Sequence, residues 1–525
     1  MSSSAGATSE FRLAATGAQP LAALVPAVMI IVFGLATAVA AALSNDLSGV
    51  VATVLFGGVL MAAWVAPLRV PLLVVMFVGL AVDRPGDAEG RWASPFVTIG
   101  GLLFQNLNKV VSVEALKFSG VFVLLTCLLM VRGYRVLCGR VRDSTDSRRA
   151  AAPVIWGIVI ALLTIAFNIL AGWLRGGDIQ MTKIQVQAYL QLLAAAYLFG
   201  VSLRGPRDYW IAGKVIVAAA CIKAGMAVWV RLTLPSAFPN SYGVMTEMEY
   251  VTSHGDSLLF ACAIVVLVGP LLYRPRARQL RWVLLTLPLI VAGLFANDRR
   301  IAWVQIALGL VVLVGMNLRH VLMRRLVRIG VWVSPVILAY VLAGWWLPSR
   351  VFRPVHFVRN LVVNTRTDGS LDRSTLYRDA ENYNLVNTFR PNPLMGTGFG
   401  HPFAQAAQLD DISGTFKEFA YLPHNSMLGL WAFTGAAGFT GILTPLVIAL
   451  FLAARAHACA IEPAHALAAT ASMACIGAYV LHMWGDIGFT EAHTIFLVGL
   501  AVAIAGQIAT DTGAWPVRWR RRSVS

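Results

Sequence analysis

Long apolar runs recur along this chain, each about 17–25 residues long and separated from the next by a short charged segment. One such run is as long as a helix must be to cross the hydrocarbon core of a bilayer. The composition agrees, since 58% of the 525 residues are hydrophobic and only 13% are charged. The sequence therefore predicts an all-α, polytopic integral membrane protein with about fourteen transmembrane helices.

The predicted spans follow the apolar runs. They lie at 20–43, 47–66, 69–82, 115–131, 151–173, 184–203, 209–230, 255–273, 282–297, 301–318, 329–347, 426–453, 466–485 and 492–509. The third span is short, so the 47–82 region could instead form one hairpin or a re-entrant pair.

Arginine clusters set the predicted orientation of these spans. They follow the even-numbered spans, at Arg132–Arg149, Arg204–Arg207, Arg274–Arg281, Arg319–Arg328 and Arg518–Arg522. Positively charged residues accumulate on the cytoplasmic side of membrane proteins. Both termini are therefore predicted to be cytoplasmic, and topology, rather than nucleic acid binding, explains the formal charge of +17.

The same pattern predicts the organisation of the chain. It comprises a cytoplasmic tail at 1–19, an N-terminal transmembrane region at 20–279, a core at 280–454 that includes one large extracytoplasmic loop at 348–425 with short helices, C-terminal transmembrane helices at 455–509 and a basic cytoplasmic tail at 510–525. No internal repeat of the kind that marks many transporters is found.

An arginine pair interrupts the apolar sequence on the predicted outer side. Arg299 and Arg300 lie between two spans with almost no loop, next to Asp298. Arginine at a membrane boundary can simply reach the interface with its charge. Two arginines on the outer side nevertheless oppose the positive-inside pattern, which suggests a role for their charge.

The large outer loop contains a segment with helical periodicity. Its apolar positions are Leu376, Ala380, Tyr383 and Val386, and the candidate N-caps are Ser370 and Asp372. We expect a helix that lies with this apolar stripe on the membrane body and carries Arg373 and Arg378 along one edge. The alternative interpretation is a solvated charged face.

Glycines follow this helix in the sequence Pro-Leu-Met-Gly-Thr-Gly-Phe-Gly, with Gly396, Gly398 and Gly400. No strand precedes them and no lysine follows, so they do not indicate a phosphate loop. We expect them to form a tight turn with positive φ angles.

A histidine lies where the loop returns to the membrane, in Pro423-His424-Asn425-Ser426. Asn425 and Ser426 can cap the helix that follows, which places His424 at a helix N-terminus. The helix dipole there favours the neutral ring, which can accept a proton. A lone histidine is more often structural, and the other proton acceptors on the outer face are Asp298, Glu381 and His254.

Taken in order, these motifs resemble the O-antigen ligase/polymerase family. The resemblance is carried by residues 295–445 and rests on the boundary arginines, the Arg-x-x-x-Tyr segment, the glycine-rich motif and His-Asn-Ser-x-Leu. It implies a glycosyltransferase that takes a glycan from undecaprenyl diphosphate. Arg300 and Arg373 match the family's arginines and His424 its essential histidine. The family usually has serine where this chain has Arg299.

The residue types suit that chemistry. Guanidinium groups match phosphate oxygens with two parallel hydrogen bonds, and a neutral histidine can accept the proton of an attacking hydroxyl. The predicted catalytic residue is His424, and the predicted substrate-binding residues are Arg300, Arg373, Arg299, Arg378 and Tyr377. The sequence has no Asp-x-Asp pair, so we expect no metal site and no cofactor.

Three functional classes stay open at this point. The favoured one is a polysaccharide polymerase or O-antigen ligase in the bacterial inner membrane, with a lipid-linked glycan donor, a glycan or lipid acceptor, membrane lipids and other envelope-assembly proteins as partners. A transporter or flippase of lipid-linked glycans is the alternative, because Lys223 lies within a predicted span. The third class is a non-catalytic scaffold.

Overall fold

The computed structural model describes most of the chain. The described residues are 48–82, 95–107, 118–137, 150–233, 237–239, 245–247, 251–273, 277–297, 299–347, 349–352, 355, 359, 373–411 and 418–515. They divide between two compact units, one from residues 1–75 and 82–147 and the other from residues 76–81 and 148–525.

The first unit holds three helices and most of a fourth. They are α1 (Ser48–Val65), α3 (Pro95–Phe104), α4 (Gly120–Leu137) and the first part of α2 (Arg69–Ala81). Arg135 near the end of α4 donates hydrogen bonds to the carbonyls of Ala63, Trp64 and Ala66 at 2.6, 3.2 and 3.0 Å. These carbonyls lie at the end of α1 and just after it, where helix carbonyls lack partners within the helix, so the guanidinium caps it.

The second unit contains the remaining helices. They are α5 (Ala152–Leu174), α6 (Ile179–Ser202), α7 (Pro206–Thr233), α8 (His254–Val268), α9 (Ala277–Asn297), α10 (Arg300–Asn317), α11 (Val321–Trp346), α12 (Arg373–Phe389), α13 (Ser426–Cys459), α14 (Pro463–Gly485) and α15 (Thr494–Asp511). A short hairpin pairs β1 (Ala237–Pro239) with β2 (Met245–Glu247) between α7 and α8.

The all-α membrane fold is confirmed. Eleven helices among the described residues are long and apolar enough to span a membrane, and each corresponds to a predicted span. The second and third predicted spans form α1 and the short α2, whereas the first lies outside the described residues. Orientation, the cytoplasmic termini and the domain boundaries stay predictions.

The core of the second unit is built around α15, which is buried along nearly its whole length. Small residues let it approach α6 closely, because a Cβ on Gly499 would lie 3.0 Å from the Ala196 nitrogen. The Gln507 side chain donates to the carbonyls of Gly200 and Leu203 at 2.7 and 2.9 Å. Packing and these hydrogen bonds together fix α6 and α15 relative to each other.

One helix was not predicted from the sequence. The ten-residue α3, Pro95–Phe104, lies between the third and fourth predicted spans. This run is apolar but too short to cross a bilayer, so a search for membrane-length segments passes over it.

Candidate functional site

The predicted loop helix forms as α12, but the prediction of its buried face is wrong. Leu376, Tyr383 and Val386 are exposed, whereas Glu381 and Asn384 are buried. The buried polar groups have partners in the loop that follows. Asn384 exchanges two hydrogen bonds with the backbone of Ala407, at 2.8 and 2.7 Å, and hydrogen bonding of this kind makes burial of an amide tolerable.

The centre of the site is a pair formed by His424 and Glu381. The carboxylate accepts a hydrogen bond from the backbone nitrogen of His424 at 2.9 Å, and its other oxygen lies 3.1 Å from Nδ1 of the ring. Glu381 is 1% exposed, while the His424 side chain is 27% exposed. Since a carboxylate only accepts, the pattern assigns the ring proton to Nδ1 and leaves the lone pair on Nε2. A carboxylate that orients the imidazole in this way prepares Nε2 to take up a proton.

Tyr377 lies one turn before Glu381 on the same face of α12. Its ring meets that of His424 edge to face, with centroids 5.8 Å apart and an interplanar angle of 82°. Burial, together with the nearby carboxylates of Glu381 and Asp410, raises the pKa of Tyr377 to about 12. The phenol is therefore protonated at physiological pH and can donate a hydrogen bond but does not act as a base.

The predicted capping of the helix after His424 is confirmed. Asn425 is the N-cap of α13, and its side chain accepts a hydrogen bond from the Leu428 nitrogen at 3.1 Å. The Ser426 hydroxyl donates to the carbonyl of Asp486 at 3.0 Å and accepts from the Phe489 nitrogen at 3.2 Å. The start of α13 is thus bonded to the turn that follows α14.

The glycine-rich segment forms hydrogen bonds with this helix. Gly396, Gly398 and Gly400 have φ angles of 63°, 92° and 89°, which confirms the predicted tight turn. Thr397 and Gly398 donate to the carbonyls of Ala432 and Phe433 at 3.1 and 2.7 Å, next to a break in α13 at Gly435. These carbonyls lose their partners within the helix at the break, and the backbone nitrogens of Thr397 and Gly398 take the place of those partners.

The boundary arginines lie at the start of α10. Arg299 is its N-cap residue and is 8% exposed, whereas Arg300, the first residue of the helix, is half-buried. The Arg299 guanidinium donates from Nε and Nη2 to the carbonyl of Thr252, at 3.0 and 2.8 Å, and Nη1 contacts Nε2 of His254.

Asp486 joins the two parts of the site. Its Oδ2 lies 2.5 Å from Nδ1 of His254, and its backbone bonds to Ser426. Burial alone would raise the pKa of this carboxyl, but a hydrogen bond from His254 and electrostatic interactions with His254, His482 and Arg378 hold it well below its ordinary value. Arg378 of α12 therefore lies close enough for its charge to act on the carboxylate that His254 contacts.

The predicted site residues are thus largely brought together. His424 contacts Glu381 and Tyr377, and the charge of Arg378 acts on Asp486. Arg299 is connected to Asp486 through His254, and Arg300 adjoins Arg299 in the chain. The backbone at Arg373 begins α12, but its side chain lies outside the described residues, as do Asp298 and both predicted N-caps, Ser370 and Asp372.

The turn between the last two helices was not predicted to belong to the site. Besides Asp486 it carries Glu491 and His493, whose Oε1 and Nδ1 lie 2.9 Å apart, and His482 precedes it, fully buried and 6.3 Å from the ring of His254. The available signal was the concentration of ionisable side chains in the short turn between two apolar spans. Their involvement depends on which helix ends meet, and spacing along the chain does not reveal that.

An apolar cavity elsewhere in the second unit lacks the groups that such a site needs. It lies between α7, α8, α14 and α15 and is lined by residues such as Ile216, Val265 and Leu500, with no Arg, Lys, His, Asp or Glu. Among the described residues, no group of three or more His, Cys, Asp or Glu side chains is placed to hold a metal ion.

Comparison with known proteins gives a family match. Residues 285–443 match the family model described as O-antigen ligase, and no curated protein matches the chain. The matched segment includes both boundary arginines, α12, the glycine-rich turn and His424, the same residues that carry the resemblance in the sequence. This chain is a multi-pass membrane protein whose residues 285–443 are similar to the O-antigen ligase family.

Proposed function

We propose that this protein is a glycosyltransferase that transfers or polymerises a glycan held on undecaprenyl diphosphate, at the extracytoplasmic face of the bacterial inner membrane. The observation that carries the proposal is the buried Glu381 carboxylate, which contacts both the backbone nitrogen and Nδ1 of His424. This imidazole lies just before the first residue of a membrane helix and is partly exposed. An imidazole held in this way can act as a general base.

The proposed reaction is a direct displacement at the sugar. An acceptor hydroxyl oxygen attacks C1 of the donor glycan, and its proton passes to Nε2 of His424. The bond between C1 and the diphosphate oxygen breaks, and the electron pair leaves with undecaprenyl diphosphate. Loss of the proton makes the oxygen a better nucleophile, which is the contribution asked of His424.

Arginines stabilise the charge that develops on the diphosphate. Arg300, Arg373 and Arg378 are the proposed donor ligands, since planar guanidinium groups bind phosphate oxygens through pairs of hydrogen bonds. Fixed positive charge at the place where negative charge develops lowers the barrier most effectively. Tyr377 adds a neutral hydroxyl donor beside the base. In this scheme the arginines take the role that a divalent cation has in other transferases, so the reaction is proposed to be metal-independent.

The acceptor distinguishes two versions of the proposal. A ligase uses a finished lipid core or a protein, and a polymerase uses another lipid-linked repeat unit.

The reason to consider a transporter was Lys223, and its ammonium group is buried against Asp256 with both carboxylate oxygens 3.3 Å away. This ion pair supports a structural role for Lys223, and so it supports a transferase over a transporter.

The contact between Glu381 and His424 makes a direct prediction for Glu381→Gln. The amide offers one oxygen where the carboxylate offers two, so one of the two contacts with His424 is lost. We expect transfer to fall about tenfold or more, about 1.4 kcal/mol in the barrier, with protein yield and melting temperature in detergent close to wild type. The assay is transfer from a labelled lipid-linked donor by the purified protein.

Asp379→Asn is the matched control, because Asp379 is an exposed carboxylate on the same helix. It is expected to leave the rate unchanged. Equal activity of Glu381→Gln and wild type would show that the pair of Glu381 and His424 has no part in proton transfer.

The proposed face of action makes a prediction about accessibility. In a protein whose six native cysteines have been replaced, a cysteine at Gln408 should react with a membrane-impermeant thiol reagent added to intact cells. A cysteine at Ser144 should react only after the cells are opened. The opposite pattern would place the His424 site on the cytoplasmic side and overturn the proposed topology.

A further inference from the structure

The start of α8 is held in place by buried charge. Ser253 and Asp256 form a reciprocal capping box, with hydrogen bonds of 3.3 and 3.2 Å between each side chain and the other's backbone nitrogen. Lys223 of α7 pairs with the same Asp256 carboxylate. Because these contacts fix the first turn of α8, they also fix the position of its first residue, His254.

His254 bridges two charged groups that belong to other elements. Its Nδ1 lies 2.5 Å from Asp486 at the end of α14, and its Nε2 contacts Nη1 of Arg299 at the start of α10. A guanidinium only donates and a carboxylate only accepts, so the ring that fits between them is neutral, with its proton on Nδ1. His254 thus transmits the position of Asp486 to Arg299.

Arg299 is held by contacts within the protein. Three of its nitrogens are directed at the protein, two at the Thr252 carbonyl and one at His254, and the side chain is buried. It therefore anchors the beginning of α10 to the beginning of α8. Arg300, one residue later, is less buried.

We propose that His254 is a positioning residue for binding of the donor diphosphate. It contacts both Asp486 and Arg299 and so holds the Arg299 guanidinium against the Thr252 carbonyl. Because Arg299 is fixed, the next residue, Arg300, is held in place to bind the diphosphate. This inference rests on the proposed function, in which Arg300 binds the diphosphate. It also explains how this chain accommodates arginine at position 299, because His254 and the Thr252 carbonyl accept its hydrogen bonds.

The bridge depends on the protonation state of His254. A protonated ring would direct an N–H at the Arg299 guanidinium, and two donors of like charge repel each other. Lower pH should therefore release Arg299 and weaken donor binding. The titratable and charged groups around the ring are Asp486, His482 and Arg299, followed by Glu491, His493, Asp256 and Lys223.

The test measures binding of undecaprenyl diphosphate to purified protein that also carries His424→Ala, so that neither turnover nor the His424 ring contributes. His254→Leu removes both contacts and is expected to weaken binding about tenfold. His254→Gln keeps one donor and one acceptor on a planar group that does not titrate. At about pH 8 this variant is expected to bind the ligand as tightly as the parent. At about pH 5.5 its binding should weaken less than that of the parent, because glutamine does not become protonated as His254 does.

Titration of the ligand itself is the same for all variants, so the comparison between them isolates His254. If His254→Leu fails to fold, the pH dependence of His254→Gln still decides. Unchanged binding by His254→Leu, or the parental pH dependence in His254→Gln, would overturn the inference. Absence of binding by the parent protein would instead reject the proposed donor.

Discussion

Replacing His424 by alanine is expected to lower glycan transfer by about 10²–10⁴-fold, the usual contribution of a positioned general base. The variant loses Nε2, the proposed proton acceptor, and leaves the acceptor hydroxyl to lose its proton to water. The backbone hydrogen bond from residue 424 to Glu381 and the Asn425 cap do not depend on the ring. Expression, melting temperature in detergent and binding of lipid-linked donor should therefore stay close to wild type.

His424→Gln separates a chemical role from a structural one. The amide can keep a hydrogen bond to Glu381 but does not take up a proton at neutral pH. We expect this variant to be nearly as inactive as His424→Ala while folding normally. Near-normal transfer by His424→Gln would remove His424 from the mechanism, and a loss of melting temperature in step with activity would identify it as a structural residue.

The donor arginines should be sensitive even to lysine. Arg300→Lys and Arg373→Lys are each expected to lower transfer about tenfold or more, about 1.4 kcal/mol. Lysine keeps the positive charge but lacks the planar fork that forms two parallel hydrogen bonds to a diphosphate. The measurement is the transfer rate of purified variants over a range of donor concentrations, which separates weaker donor binding from a slower chemical step.

Arg390→Lys provides the matched control, since Arg390 is exposed immediately after α12 and is not proposed to contact the donor. It should transfer at the wild-type rate. Wild-type activity in both Arg300→Lys and Arg373→Lys would instead leave these arginines as residues of topology or packing.

The membrane helices could be predicted because one physical requirement dominates their sequence. A span has to be apolar over about twenty residues, and runs such as those at α5 and α13 satisfy this without ambiguity. The N-cap at Asn425 and the positive φ angles at the glycines were also predictable, since they follow from local backbone chemistry.

The buried face of α12 could not be predicted by the same reasoning. Periodicity favours burial of Leu376, Tyr383 and Val386, but these residues are exposed. Glu381 and Asn384 are buried because His424 and the backbone of Ala407 satisfy their hydrogen bonds. These partners lie more than one turn away in sequence, so only the folded chain reveals that the polar face is the inner one.

Asp486 and His254 show the same limit for the site. The sequence offered His254 as one of several proton acceptors and gave no reason to pair it with a carboxylate some two hundred residues later. Their contact arises because α8 begins where α14 ends. The family comparison ends at residue 443, so the turn that carries Asp486 is linked to His424 by geometry alone.

The most direct test of the proposed glycosyl transfer is a reconstituted assay with the purified protein in liposomes. The liposomes contain undecaprenyl diphosphate carrying a glycan labelled in its sugar, together with unlabelled acceptors of two kinds, a second lipid-linked repeat and a lipid core, in buffer with EDTA. We expect the wild-type protein to release the label from its lipid diphosphate and to join it to one of the acceptors, and we expect His424→Gln not to catalyse this step. Label that stays on its original lipid and only moves from one leaflet to the other would exclude glycosyl transfer and identify a transporter.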